Sequence, residues 1–377
     1  MSRCRTTKRV NRARWTLAAS LGTLLFAGTV HAVDNAPSDL RVSLLATSAD
    51  GAGWTPPRLR LDGAAPERCL PLLGPATLDG VDLSLTLTTP ASGCTSERKT
   101  TFNLFVDPAL GTGLPLLPGQ VYRVRVYAAN PGGRASLVAF DLLYTSSPGN
   151  APTPENGFWW SEASAGNQAS PGTGIALEAQ GSQLAISLFG FANSGTATWA
   201  FGSAQRKGRI ADVPLVQLAN GDPPFAPAGT QPQATAGPRL ALEFVSPTRA
   251  RAWLVHSEDG RDVEVRALTL ARSRFTDGQA ATAWSGTWVL VPEDGGTPRT
   301  FDFAAPGSRD AETFHLADTL QGAQLDCRLA TGTRHPDLCT LSAAGSVLAD
   351  FDQVGLDRLS GRSSAGTRVQ LLRVPRS

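Results

Sequence analysis

Apolar and polar residues alternate with a period of two along most of this chain. In "DLSLTLT" Leu83, Leu85 and Leu87 share one face; in "VYRVRVY" Tyr122, Val124 and Val126 oppose Arg123 and Arg125; in "RLALEF" Leu240, Leu242 and Phe244 share another. Such strands bury one side and wet the other, the pattern of antiparallel sheets. No window carries a sustained i, i+3, i+4, i+7 apolar repeat, so the sequence predicts an all-β protein. From Gly157 to Arg272 eight strands follow one another: "GFWWS", "GIALEAQ", "QLAISLFGFA", "TATWAFG", "VPLVQLA", "RLALEFV", "RARAWLVH" and "VEVRALTLA". Gln180-Gly181-Ser182, Asn193-Ser194-Gly195 and the segment around Asp259-Gly260 read as hairpin turns. Eight hairpin-linked strands suit an antiparallel meander that curls into a small eight-stranded barrel. Residues 284–377 again give about eight candidates, from "WSGTWVLV" to "TRVQLLRVP", and predict a second meander or barrel unit. About seven short strands between residues 36 and 146 predict a β-sandwich, and "TSSPGNAPTPEN" (145–156) separates it from the central unit as a Pro/Gly-rich linker.

Residues 1–32 read as a signal peptide. Arg3, Arg5, Lys8, Arg9, Arg12 and Arg14 make a basic region, "TLAASLGTLLFAGTV" an apolar one, and Val30-His31-Ala32 a small-residue cleavage site. No later stretch approaches the roughly 20 apolar residues of a transmembrane helix. An exported protein, periplasmic or extracellular, is therefore expected. Setting the leader aside leaves 28 basic against 32 acidic residues, a net charge of −4. That excludes the basic footprint of a nucleic-acid binder. Four of the five cysteines lie beyond the leader in two local pairs, which predicts disulfides Cys69–Cys94 and Cys327–Cys339.

Three resemblances add to this reading. "LPGQVYRVRVYAANPGG" resembles the penultimate strand of bacterial Ig-like modules, implying an Ig-like sandwich for residues 36–146. Gly157, Trp159, Trp160, Gly172, Gly174, Gln180, Gly181, Phe189, Gly195 and Trp199 resemble the pattern of a recurrent β-rich module of exported Gram-negative bacterial proteins that has no assigned activity. Gly286-Thr287-Trp288, followed by Arg368 or Arg373, is similar to the Gly-x-Trp signature of lipocalins and avidins, whose ring packs at the closed end of the barrel.

Candidate chemistry is sparse. No G-x-S-x-G elbow surrounds Ser161, Ser164 or Ser170, and the S-x-x-K match Ser96–Lys99 has no helix to align it. His256, His315 and His335 show no metal-ligand spacing, so no metal and no cofactor is expected. The ligand-binding candidates are Trp159, Trp160 and Trp199. Adjacent strand residues point to opposite faces, so one of Trp159 and Trp160 belongs to the core. Trp160 shares its face with Phe158 and is the ring expected inside, which leaves the other to stack on a sugar or another apolar ligand face. The expected function is a non-catalytic binding or envelope structural protein, with a glycan or envelope component as partner. A lipocalin-like small-ligand carrier and a secreted hydrolase using a carboxylate pair are the alternatives.

Overall fold

A computed structural model describes residues 36–45, 57–90, 98–108, 115–129, 134–145, 151–162, 172–192, 194–222, 225, 229–273, 284–304, 313–329 and 336–374. The signal-peptide and cleavage-site readings, Cys94, Ser96, Ser164, Ser170 and His335 lie outside the described residues.

The first eight strands form two sheets. Strands β1 (Ser38–Leu44), β2 (Leu59–Pro66) and β6 (Lys99–Val106) make one. Strands β3 (Leu72–Leu73), β5 (Asp82–Thr88), β7 (Val121–Ala129) and β8 (Ser136–Tyr144) make the other, with β4 (Thr77–Asp79) paired to β5. Leu40, Val42, Leu59 and Leu61 of the first sheet meet Leu83, Leu85, Val124 and Val126 of the second in a common core. The two strands whose alternation is clearest, β5 and β7, pair with each other in parallel, Leu83 opposite Val124 and Leu85 opposite Val126. This corrects the antiparallel expectation for that pair. A parallel pair alternates in sequence just as an antiparallel one does when one face is buried, so the pattern carries no direction.

All eight central strands are present: β9 (Gly157–Ser161), β10 (Gly174–Gln180), β11 (Gln183–Phe191), β12 (Ala197–Gln205), β13 (Ile210–Ala219), β14 (Gln233–Ser246), β15 (Arg249–Glu258) and β16 (Arg261–Arg272). They form a closed barrel. Short β9 closes it, pairing with β10 through Trp159 and Ile175 and with β16 through Trp160 and Ala271. The hairpin turn at Asp259-Gly260 has φ of 49° and 75°, the conformation a two-residue turn needs to match strand twist. Ile175, Leu177, Leu184, Ile186, Val213 and Leu240 fill the interior.

The last eight strands are β17 (Gly286–Pro292), β18 (Arg299–Phe303), β19 (Thr313–Ala317), β20 (Ala323–Leu329), β21 (Pro336–Ala343), β22 (Ser346–Val354), β23 (Arg358–Ser363) and β24 (Arg368–Arg373). They make one antiparallel sheet with β18 and β19 at its ends. A bridge between Phe303 and Asp318, and the Ala304 N–H donating to the Ala317 carbonyl at 3.0 Å, bring those ends together. The result is a nearly closed barrel around Trp284, Trp288, Phe301 and Phe351. Cys327 and Cys339, directly opposite each other on β20 and β21, form the expected disulfide. Cys69 is buried and disulfide-bonded.

Strand β8 packs on the outside of the closed barrel, where Phe140 meets Ala241, Trp253 and Val255. That contact is centred on a buried cation. Arg239 donates to the Phe140 carbonyl at 2.6 Å, to Asp262 at 2.8 Å and to Asp212 at 2.7 Å, and lies 3.8 Å from Asp141. Phe140 N–H also donates to Asp262 at 2.8 Å, and Val42 N–H to Asp141 at 2.8 Å. The acids compensate the desolvated guanidinium, as a buried charge requires.

Candidate functional site

Strand β9 carries the paired tryptophans, and its register decides their fates. Trp159 lies opposite Ile175, whose side chain is core, so its ring points into the barrel and is fully buried against Phe244. Trp160 lies opposite Gly174 on the outside and is 44% exposed. The expectation that Trp160 is the inward ring is thus reversed. Phe158 and Trp160 do share a face, but it is the outer one. A larger apolar side count on one face predicts burial only where another layer covers that face.

The outward rings form a continuous row. Trp160 is opposite Gly174, Gly174 is opposite Phe189, and Phe189 is opposite Trp199. A Cβ on Gly174 would sit 2.7 Å from the Trp160 ring, so a glycine there is what lets the indole lie across β10 toward Phe189. Phe158, Phe191 and Phe201 flank the row and are exposed, Phe191 most, at 59%. Phe158 and Phe189 approach with centroids 6.1 Å apart; Trp199 and Phe201 stack at 5.8 Å. Ser187, Ser203 and Glu178 border the rings on the same outer face, by strand alternation. From β9 to β12 the row crosses three strand intervals, about 14 Å. Trp160 and Trp199 are therefore brought onto one surface, and Trp159 is not. Phe189 and Phe191 before Gly195, and Trp199 and Phe201 after it, stand at alternate positions, a sequence signal from which this face could have been read.

The barrel's two ends differ. At the end that holds the 180–182 and 246–248 turns, the Trp159 indole N–H donates to the Glu155 carbonyl at 3.1 Å. Arg272, opposite Trp159 on the last strand, donates to the Asn156 carbonyl at 2.7 Å. The second barrel repeats this set. Trp288 donates to the Trp284 carbonyl at 2.8 Å, and Arg373, opposite Trp288, lies over its ring at 6.0 Å and donates to the Ser285 carbonyl at 3.0 Å. Of the two arginines, Arg373, not Arg368, lies opposite Trp288. Gly157 and Gly286 head the two motifs with φ of 125° and 118°.

At the other end, where the 192–196 and 257–260 turns lie, the closed barrel holds a cavity of about 660 Å³. Leu188, Ala200 and Leu254 line its apolar part and Thr198, Gln217 and Arg266 its polar part, and Phe189, Phe191 and Trp199 of the outer row border it. Among the described residues no group of three His, Cys, Asp or Glu side chains could hold a metal ion. His256 lies 3.2 Å from Glu258 and His315 2.7 Å from Asp326, each at a surface pair. Compared with known proteins, the chain matches no protein-family model and no curated protein sequence.

Proposed function

We propose that this is an exported, non-catalytic binding protein of the periplasm or medium, whose central barrel recognises an extended glycan on the outer face of β9–β12. The observation that carries this reading is the row of exposed Trp160 and Trp199 with half-buried Phe189 between them, flanked by exposed Phe158, Phe191 and Phe201. Exposed aromatic surface of this extent marks a recognition site more often than a free surface. Flat rings suit the C–H faces of sugars, and the Ser187 and Ser203 hydroxyls and the Glu178 carboxylate beside them suit sugar hydroxyls. A row about 14 Å long favours an oligomer over a single ring. Export is supported by the leader pattern and the Cys327–Cys339 disulfide. The first domain is read as an Ig-like spacer, a reading supported by the buried Tyr122, whose hydroxyl accepts the Leu117 N–H at 2.7 Å just after the chain enters β7.

A glycan array followed by affinity electrophoresis with the mature protein tests the reading. Trp160→Ala and Trp199→Ala should each weaken retention about five- to tenfold, the equivalent of about 1 kcal/mol per stacked ring. A glycan retained equally by the wild type and both variants would refute this face as the site, and so would the absence of any retained glycan.

A further inference from the structure

The cavity in the mouth of the central barrel adjoins the outer face, since Phe189, Phe191 and Trp199 border it too, but its inward-facing lining has a chemistry of its own. Leu254 packs against the barrel core, and Arg266 is its direct cross-strand partner, so Arg266 projects from the same inner face. Thr198 shares that face with buried Ala200, and the Gln217 side-chain amide donates to the Thr198 hydroxyl at 3.3 Å, which fixes both inside the mouth. Arg266 is the one cation among the lining residues. Its Nε donates to Glu264 at 2.6 Å on the rim, both side chains about half exposed, at 54% and 51%. The terminal guanidinium nitrogens of Arg266 have no hydrogen-bond partner among the described residues. His256, opposite Glu264, completes the rim and pairs with Glu258.

We infer that the barrel mouth is a binding site for a small amphipathic organic acid, its apolar body resting on Leu188, Ala200 and Leu254 and its acidic head on Arg266. The volume of about 660 Å³ suits a drug-sized molecule. An apolar body is favoured because the inner floor is aliphatic, Leu188, Ala200 and Leu254, and the residues bordering the opening include Phe189, Phe191 and Trp199. An acidic head is favoured because a charge-assisted bond to the two unengaged guanidinium nitrogens is about twice as strong as a neutral one, and the fork of Arg presents them in parallel. Thr198 and Gln217 stand beside it to hydrogen-bond the head or an adjoining polar group. Glu264, held at Nε, offsets part of the Arg266 charge beside the ligand's acid and so lowers the affinity without occupying the terminal nitrogens. A cationic head meets Arg266 at the same point and is rejected.

The test uses the mature full-length protein and two fluorescent probes of similar body, 8-anilinonaphthalene-1-sulfonate and the neutral N-phenyl-1-naphthylamine. The sulfonate should bind at one saturable site. Arg266→Met should weaken it tenfold or more while changing the neutral probe less than twofold, and Glu264→Gln should strengthen it severalfold. Ala200→Phe, which places a ring in the cavity and alters nothing on the outer face, should abolish both. The inference is overturned if the sulfonate shows no saturable site, if Arg266→Met leaves its affinity intact or weakens both probes alike, or if a folded Ala200→Phe protein still binds. Should Ala200→Phe fail to fold, as judged by circular dichroism, the Arg266 and Glu264 variants at the exposed rim decide the matter alone.

Discussion

Removing the ring of Trp159 should damage the central barrel far more than removing its neighbour. Trp159 is fully buried, meets Phe244 edge-on with centroids 6.2 Å apart, and spends its indole N–H on the Glu155 carbonyl. Truncation to alanine loses the transfer free energy of a whole indole and leaves a cavity, about 3–5 kcal/mol for a buried Trp. The abandoned Glu155 carbonyl adds about 1 kcal/mol. Trp160, by contrast, leaves no cavity, because its outer side already faces solvent; only cross-strand contacts are lost, about 1 kcal/mol or less. With a urea slope of roughly 1–3 kcal/mol/M, the first loss moves the barrel's unfolding midpoint by about 2 M and the second by about 0.5 M. Urea titrations of Trp159→Ala and Trp160→Ala, followed by circular dichroism and by the remaining indole fluorescence, measure both. Trp159→Phe should recover much of the loss but not the hydrogen bond. If the two alanine variants shift the midpoint equally, or if Trp160→Ala shifts it more, the inside-outside assignment of β9 is wrong, and the closed-barrel register with it.

Two other predictions concern the rest of the fold. Burial holds the Asp141 carboxyl up at about 6, outweighing the attraction of Arg239 and the Val42 N–H, so the native state keeps a proton that the unfolded chain releases near its ordinary value of 3.8. This group's stabilising contribution is full below about pH 4 and is lost as pH rises to about 6, by about 3 kcal/mol in all. Asp141→Asn should therefore gain on the wild type by up to that amount between pH 4 and pH 7 in parallel unfolding curves, and a pH-independent difference would contradict the native protonation. Replacing Cys327 and Cys339 by serine opens a loop with a sequence separation of 12 and should cost about 3 kcal/mol, seen as a lower melting temperature for the C-terminal barrel; an unchanged melting temperature would show that the disulfide adds nothing there.

The sequence revealed local pairings and concealed distant ones. The eight central strands and their turns could be read because each hairpin is specified within about 20 residues by alternation and by Gly-containing turns such as Gln180-Gly181 and Asp259-Gly260. A barrel was expected from the strand count, but the pairing that closes it could not be read, because it joins Ser161 to Leu270, and no periodicity connects residues so far apart. The Arg239 cluster was hidden for the same reason: Asp141 is on β8 and Asp262 on β16, far apart in the chain, and in sequence each is one more acid among 32. Both tryptophans of β9 were found as a site, yet the choice of inner ring followed the company of Phe158 instead of the register of β10. Trp199 was picked from a resemblance, and the structure gives the physical content of that choice by setting it in the same row as Trp160 and Phe189. The arginine left open between Arg368 and Arg373 was settled by register alone, since β24 places only Arg373 opposite Trp288.

Where the two proposed ligand surfaces lie follows from how the two barrels are plugged. An eight-stranded barrel is just wide enough to be filled by side chains, and each of these is stopped at one end by a tryptophan near the start of its first strand. A buried indole needs an acceptor, and the carbonyl four residues upstream supplies it in both: Glu155 for Trp159, Trp284 for Trp288. The residues at those upstream positions then do a second task with their side chains. Glu155 accepts the N–H groups of Leu356 and Asp357 at 2.9 and 3.1 Å, and the Trp284 indole donates to the Gly355 carbonyl at 2.8 Å. Both act on the one turn between β22 and β23. The plug of the central barrel is therefore held against the second barrel, and Glu155, whose carboxyl is pushed up by burial and pulled back by those two N–H groups, is committed to that contact. With β14–β16 covered by β8 and the plugged end engaged by the turn at Gly355–Asp357, the outer face of β9–β12 and the mouth beside Arg266 are left for the proposed ligands. Those are the two places where the exposed Trp160 and Trp199 rings and the cation of the mouth cavity are found.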